Sequence, residues 1–117
     1  MSIEELPARG AERGAAAYLV TVREDRPHVV AVTVVCRDGD LVVGAGRRTA
    51  INIVDHPIAT LLWPVTDAHP HHSLLVDGSA RLSDAGDRLV ISPTSAILHR
   101  AGGRRRSIGQ DGTPPPA

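Results

Sequence analysis

Residues 28–45, HVVAVTVVCRDGDLVVGA, hold two runs of β-branched residues on either side of an Asp-Gly pair. Valine and threonine favour extended backbone, because branching at Cβ restricts their side chains in a helix. Asp38 and Gly39 suit a type I′ turn, in which both central residues adopt positive φ. The stretch therefore predicts an antiparallel β-hairpin.

The first of these runs, residues 28–36, is apolar on both faces. A strand of this kind is covered on both sides. In a barrel, one face would line the interior and the other would meet a partner surface. A monomer would leave one apolar face in water, so we expect a homodimer.

Strands at hairpin spacing continue along the chain, without the strand–helix–strand rhythm of parallel sheets. Asp77-Gly78 interrupts an apolar alternation that resumes beyond it, so a β-bulge is expected there. The pattern predicts a mainly β, antiparallel barrel of six strands with one or two short helices. The expected strands are residues 18–23, 28–36, 41–45, 58–63, 73–82 and 88–100.

Composition divides the chain into three parts. Residues 1–16 contain one proline and two glycines, which predicts a short N-terminal helix or arm. Residues 17–100 have the size of one ordinary domain and form the barrel. Residues 101–117, AGGRRRSIGQDGTPPPA, predict a flexible tail.

The charge balance argues against two classes of partner. The chain has 13 basic and 13 acidic residues, so no overall field draws it toward nucleic acid or an anionic membrane. Tyr18 and Trp63 are the only aromatic residues, which leaves no stacking platform for single-stranded nucleic acid. A small nucleic-acid-binding barrel that uses the arginines of residues 103–107 is therefore the weaker alternative. No apolar run has the length of a membrane span, and the N-terminus lacks a secretory h-region.

Cys36 is the only cysteine, so no intrachain disulfide forms, and we expect a protein of the reducing cytoplasm. Its place at the end of an apolar strand predicts a buried core thiol. The loop DAHPHH, residues 67–72, has no standard zinc spacing, so no metal site is expected. We expect a polar loop at the mouth of the site, where His71 or His72 can touch substrate.

The segment GRRTAINI, residues 46–53, joins the hairpin to a short helix. Thr49 is expected to cap a helix over residues 50–56 that ends before a proline, with Ile51 and Val54 facing inward. Unpaired N–H groups at such a helix start attract anions.

Arg47 and Arg48 add permanent charge to this helix start, which predicts an anion pocket. The alternative is that both arginines are solvated and Thr49 is only a cap. Charge-assisted hydrogen bonds contribute about 1.5–3 kcal/mol each. Micromolar binding, about 8 kcal/mol, would also require an apolar ring buried against the neighbouring strands.

Three stretches, taken in order, resemble the pyridoxamine 5′-phosphate oxidase-like family of split β-barrels. They are AYLVTVREDRPHVVAVTVV, DGDLVVGAGRRTAINIVDHPIATLLW and SLLVDGSARL. The resemblance covers roughly residues 15 to 100 and lies in the order of its parts. It implies a six-stranded antiparallel split β-barrel.

The resemblance also implies a cofactor. Members bind FMN, or the related deazaflavin coenzyme, at a homodimer interface and move hydride or electrons between the cofactor and a small-molecule substrate. The family's phosphate-binding turn is matched by Arg47, Arg48 and Thr49, and the helix after it by Asn52. The ring-lining strand is matched by His28, Val29, Val30 and Ala31, and the fourth strand by Trp63.

Two departures from the family's pattern limit the function. Many flavin-binding members have a lysine two residues after the Ser/Thr, where this chain has Ile51. The C-terminal Arg and Trp motif of true pyridoxamine phosphate oxidases is absent, so the vitamin B6 reaction is not predicted. The prediction is a flavin-dependent oxidoreductase that uses FMN on an unidentified substrate. The alternatives are a reductase that uses a deazaflavin coenzyme of the F-420 type and a non-enzymatic flavin-binding barrel.

Overall fold

A computed structural model describes residues 2–101, which form seven strands and two α-helices after a short 3₁₀ turn at Ile3–Glu5. The helices are α1 (Leu6–Glu12) and α2 (Arg47–Asp55). The strands are β1 (Ala16–Arg23), β2 (Arg26–Thr33), β3 (Val35–Arg37), β4 (Asp40–Gly44), β5 (Ile58–Trp63), β6 (His72–Leu82) and β7 (Arg88–Arg100). The tail predicted for residues 101–117 lies outside the described residues, apart from Ala101.

All seven strands belong to one antiparallel sheet, in the order β2-β1-β5-β6-β7-β4-β3. The sheet curls into a half-barrel, which confirms the predicted mainly β, antiparallel class. It has one strand more than the six expected, because the run 28–36 is divided at Val34. The N–H of Val34 donates to the carbonyl oxygen of Ala15 at 2.8 Å. One continuous run of sequence therefore pairs with β1 at one end of the sheet and with β4 at the other.

The turns follow the local sequence closely. Asp38 and Gly39 connect β3 to β4 with φ angles of 52° and 85°, as the predicted type I′ turn requires. Glu24 and Asp25 connect β1 to β2 with φ angles of 50° and 63°. Because only two residues separate these strands, the residues on either side of the turn face each other directly.

The predicted bulge is confirmed at Asp77 and Gly78, where the register of β6 against β7 shifts. A Cβ atom added to Gly78 would lie 2.5 Å from the carbonyl oxygen of Ser92 and 2.7 Å from Cγ2 of Ile91. Backbone occupies the space that a side chain would need. Glycine is therefore what allows β6 and β7 to approach at the bulge.

Gly78→Ala is expected to lower the free energy of unfolding by about 1–3 kcal/mol, since the added methyl group forces the two strands apart. Urea denaturation of the purified protein measures this loss. Gly44→Ala is the matched control, because within the described residues no atom lies within 4 Å of its added Cβ. Equal losses in the two variants would contradict the packing argument.

The core lies on the inner face of the curled sheet, where alternate residues of each central strand point inward. α1 and α2 close over this core with one buried aliphatic side chain each, Leu6 and Ile53. Neither helix in this part of the chain has the length and apolar character needed to cross a bilayer. The most completely buried aliphatic side chains are Leu19, Val43, Leu61, Leu74, Val76, Leu89 and Ile91.

α2 differs from its prediction in start and in phase. It begins at Arg47 with Gly46 as the N-cap residue, so Thr49 does not cap it and is instead buried in its first turn. The expected inward residues Ile51 and Val54 are 52% and 74% exposed. Packing against the sheet buries the face that carries Thr49, Asn52 and Ile53, and side chains on one helix face recur every three to four residues, so Ile51 and Val54 lie on the other side.

Cys36 is exposed, so the prediction of a buried core thiol is wrong. It lies in β3, a three-residue strand at the end of the sheet whose residues are all exposed. A terminal strand has a neighbour on one side only, and so its side chains receive less cover.

The outer face of the sheet carries a row of apolar side chains in direct cross-strand register. Tyr18 pairs with Ala31 on β2 and with Leu62 on β5. Leu62 pairs with Leu75, and Leu75 with Ile97. Three members of the row are exposed, and the two leucines are half-buried. We call these five residues the outer apolar row.

Candidate functional site

A recess of about 430 Å³ opens between the first turn of α2 and the β1–β2 hairpin. Three arginines and one histidine line it, with a glutamate and a proline at the same mouth. Two of the predicted site residues, Arg48 and His28, meet here although they are twenty positions apart in the chain. The lining residues are Arg23, Glu24, Arg26, Pro27, His28 and Arg48.

A buried hydrogen bond holds α2 in place beside the recess. Nδ2 of Asn52 donates to Oγ1 of Thr21 on β1 at 3.1 Å. Both residues are almost completely buried, with exposed fractions of 2% and 1%. A polar pair in an apolar interior is costly to break, because each partner would be left without its hydrogen bond. Asn52, predicted to contact the cofactor, uses this donor inside the protein and acts there as a positioning residue.

His28 lies on the inner face of β2. It pairs across the strands with Thr21, and directly paired residues point to the same face of a sheet. Its Nδ1 atom is buried and has no hydrogen-bond partner among residues 2–101. Buried polar atoms are nearly always satisfied. An unpaired one in a cationic recess is therefore the kind of group that a bound anion would satisfy.

The recess has an excess of positive charge. Arg23 forms an exposed ion pair with Glu24, with Nε and Oε1 3.6 Å apart. Within the described part of the chain, no carboxylate forms an ion pair with Arg26 or Arg48. Three guanidinium groups therefore face one carboxylate, and that carboxylate is itself largely in solvent. The recess is suited to a ligand with more than one negative charge.

A flat surface for a ring system adjoins the recess. β2 is the terminal strand of the sheet, and no strand within residues 2–101 pairs with its other edge. Backbone N–H and C=O groups on such an edge are available to a planar ligand. Val29, which is 55% exposed, and Ala31 lie on the outer face of β2, whereas Val30 packs against the core.

Three other predicted residues do not line the recess. Arg47 is exposed at the start of α2, and Thr49 is buried beneath it. Trp63 is only 3% exposed, and its Nε1–H donates to the carbonyl oxygen of Gly14 at 3.0 Å. Its indole ring therefore closes the barrel behind α1.

The histidine loop lies away from the recess and beside α1. His69 forms a hydrogen bond through Nε2 with the carbonyl oxygen of Glu12 at 3.0 Å. Arg13 donates to the carbonyl oxygen of His72 at 2.8 Å. No group of three or more potential metal-ligating residues occurs within residues 2–101. The described contacts of the loop attach it to the segment that leads into β1.

Sequence reasoning missed Arg23 and Arg26. The signal was present in the segment REDR, because a two-residue turn makes the residues on either side of it a directly opposed pair. The register confirms this pairing, and alternation along β1 puts both arginines on the same inner face as Thr21 and His28. A charged pair that faces the helix start thus belongs to the same recess.

Comparison with solved structures defines the class of protein. The "Putative Pyridoxamine 5'-phosphate oxidase" of Listeria innocua matches with a TM-score of 0.65 at 17% identity, covering 83% of this chain and 98% of that one. An F420 reductase matches with a TM-score of 0.59 at 22% identity, over 74% and 91% of the two chains. The FAD binding protein of Mycobacterium smegmatis matches with a TM-score of 0.61 at 16% identity, over 86% and 96%. The chain therefore has the split-barrel fold of these proteins.

Sequence comparison gives the family. No protein-family model matches the chain. The uncharacterized protein Mb0449c of Mycobacterium bovis is 41% identical over 100 residues, which cover 72% of this chain and 70% of that protein. The uncharacterized protein MT0457 of Mycobacterium tuberculosis has the same identity and coverage. The chain belongs to the family of these two mycobacterial proteins.

Proposed function

We propose that this protein is a homodimeric oxidoreductase that binds a flavin-type cofactor, FMN, and moves hydride or electrons to a small-molecule substrate. The observation that carries the proposal is the recess, which Arg48 and His28 line beside the open edge of β2. A phosphorylated planar cofactor needs a cationic recess and a flat backbone edge next to each other. The names of three proteins with the same fold refer to pyridoxamine phosphate oxidation, F420 reduction and FAD binding.

The residues of the recess fit the anionic end of such a cofactor. The guanidinium of Arg48 keeps its charge at all physiological pH values and presents several donors to phosphate oxygens. The first turn of α2 adds backbone N–H groups with a partial positive charge. Asn52 and the buried Thr49 support this turn from behind. We expect Arg47 to contribute less than Arg48 to cofactor binding, because the side chain of Arg47 does not line the recess.

The ring of the cofactor would lie along the open edge of β2, where it reaches Val29 and Ala31 on the outer face while the phosphate enters the recess on the inner face. Burying a flat ring of this size removes ~200 Å² from water, which stabilises the complex by about 5 kcal/mol before the entropy of association is subtracted. The bound flavin supplies the redox chemistry. The chain itself holds the phosphate, orients the ring and excludes water.

A second copy of the chain completes the slot for the ring. The outer apolar row crosses five neighbouring strands and ends at Ala31, beside the proposed position of the ring. Exposed apolar surface of this extent is unfavourable in a monomer. Two copies that meet through this row would cover each other's apolar side chains and the outer face of β2.

Arg48→Ala is expected to weaken FMN binding by about tenfold or more, since one charge-assisted hydrogen bond contributes about 1.5–3 kcal/mol. Arg47→Ala is expected to change it by less than about threefold, the scale of an exposed charge. Fluorescence titration of FMN into each purified variant measures both affinities. Arg88→Ala, an exposed arginine on β7 that lines a different recess, is the matched control. Unchanged affinity in Arg48→Ala would remove the assignment of the recess.

Two observations favour a deazaflavin coenzyme as the second candidate. Ile51 stands where many FMN-binding members of the resembled family have a lysine, and the F420 reductase has the same fold. Incubation of the purified protein with both cofactors, followed by desalting, tests which of the two is retained. A protein that retains a flavin but shows no turnover with reductants would be a non-enzymatic flavin carrier.

A further inference from the structure

We propose that Arg23 and Arg26 of the β1–β2 hairpin are anion-binding residues that make the recess specific for a terminal phosphate monoester. This inference rests on the proposed function for the identity of the ligand as a flavin. The recess itself is defined by side chains that the structure brings together. It concerns two residues to which neither the resemblance nor the predicted phosphate-binding turn assigns a role.

The two arginines form a pair of like charges at the end of the hairpin. Arg23 and Arg26 are directly opposed across the hairpin, and like charges in this arrangement destabilise a strand pair. Glu24 compensates Arg23 through a single exposed contact, which is a weak interaction. Arg26 forms no ion pair with any residue from 2 to 101. An anion bound between the two guanidinium groups would relieve this repulsion.

Both arginines face the side of the sheet on which His28 lies. Alternation along β1 and β2 puts Arg23 and Arg26 on the inner face, next to His28. Arg48 approaches the same space from α2. Four nitrogen-bearing side chains from three elements, β1, β2 and α2, therefore line one recess.

The charge of the recess suits one kind of ligand. A phosphate monoester carries about −1.5 to −2 at pH 7, which matches three guanidinium groups that face one exposed carboxylate. The internal diphosphate of FAD also carries two charges, but they lie on two separate phosphate groups with one charge each, whereas a monoester concentrates its charge on one group. Thr21, which pairs with His28 across the strands, already bonds to Asn52, so these two buried groups are satisfied within the protein and the ligand is left to the arginines and His28.

The test compares three flavins that differ in their phosphate. FMN has a terminal phosphate monoester, FAD has an internal diphosphate, and riboflavin has none. The wild-type protein is expected to bind FMN about a hundredfold more tightly than riboflavin and more tightly than FAD. The double variant Arg23→Ala/Arg26→Ala is expected to lose about tenfold or more in FMN affinity and to bind riboflavin as the wild type does. The smaller change Arg26→Gln removes only the charge of the arginine that has no ion pair and keeps a polar side chain.

Arg37→Ala/Arg88→Ala is the control, because it removes the same charge from a recess beside the β3–β4 turn. It is expected to leave all three affinities unchanged. Thermal unfolding of the ligand-free hairpin variant should show a midpoint at or above that of the wild type, since a like-charge pair has been removed. Equal losses for FMN and riboflavin, or no loss for FMN, would overturn the phosphate assignment and leave flavin binding itself intact.

A second measurement separates this inference from the proposed function. If none of the three flavins binds, inorganic phosphate is titrated into the wild-type protein while the imidazole NMR signals of His28 are followed. A shift in the wild type that is absent in Arg23→Ala/Arg26→Ala would support an anion recess in a protein that is not a flavoprotein. No shift in the wild type would overturn both.

Discussion

Trp63→Ala is expected to lower the free energy of unfolding by about 3–5 kcal/mol, the usual cost of truncating a large buried aromatic side chain. The indole is almost completely buried, and its N–H bonds to the carbonyl oxygen of Gly14. It therefore joins the end of β5 to the segment between α1 and β1. Total stabilities of small domains are about 5–15 kcal/mol, so this one change would remove a large share.

Denaturation in urea, followed by circular dichroism, measures the effect. Trp63→Phe keeps most of the ring volume and loses the hydrogen bond, so it is expected to cost only about 1–2 kcal/mol. Ile51→Ala on the exposed face of α2 is the control and is expected to change stability by less than about 0.5 kcal/mol. A Trp63→Ala protein that keeps its stability but no longer binds FMN would restore the ligand role that the sequence suggested for this residue.

Leu75→Arg is expected to convert the proposed homodimer into a monomer that folds but no longer retains FMN. Leu75 lies between Leu62 and Ile97 in the outer apolar row, so in the proposed dimer an arginine there would be buried without a partner in both copies. An uncompensated buried charge costs about 3–5 kcal/mol. With one in each copy, the dissociation constant of the dimer is expected to rise by about 10⁴-fold or more.

Sedimentation of the wild type and the variant over a range of concentrations tests this expectation. Val54→Arg on α2 is the matched control, because it places the same charge on an exposed apolar residue outside the row. Ile97→Arg, at the exposed end of the row, provides a second variant in case Leu75→Arg does not fold. A monomeric wild type, or dimers that persist in both row variants, would count against the proposed assembly.

The valines of the run 28–36 differ in the face to which they point. Val32 packs against the core, and Val34 is buried where β2 ends. A charge at either position would therefore disturb the fold. Val29 and Ala31 face outward, and they are the residues of this run through which a partner or a ring can be reached.

Turns and strands could be predicted because they depend on neighbours in the chain. The positive φ angles at Asp38 and Gly39 follow from the two residues themselves, and the bulge at Gly78 follows from one glycine in an alternating strand. β-branched runs between such signals become strands wherever they lie. These features could therefore be predicted, with a single extra division at Val34.

The phase of α2 could not be predicted, because packing sets it. Ile51 and Val54 satisfy a helical spacing as well as Ile53 does, and only contact with the sheet distinguishes them. The bond between Asn52 and Thr21 joins residues 31 positions apart and selects the buried face. Thr49 lies on the same face of α2 and is therefore also buried.

The recess likewise contains residues that the sequence singles out, and only the fold brings those residues together. Arg48 and His28 were recognisable as separate basic residues, one at a helix start and one on an apolar strand. Their convergence with Arg23 and Arg26 depends on the register of β1 against β2 and on where α2 lies. Local residue preferences set the strands and turns of this protein, since those involve adjacent backbone. Long-range strand pairing and the position of α2 determine which charges share one volume, because electrostatic interactions act through space and not along the chain.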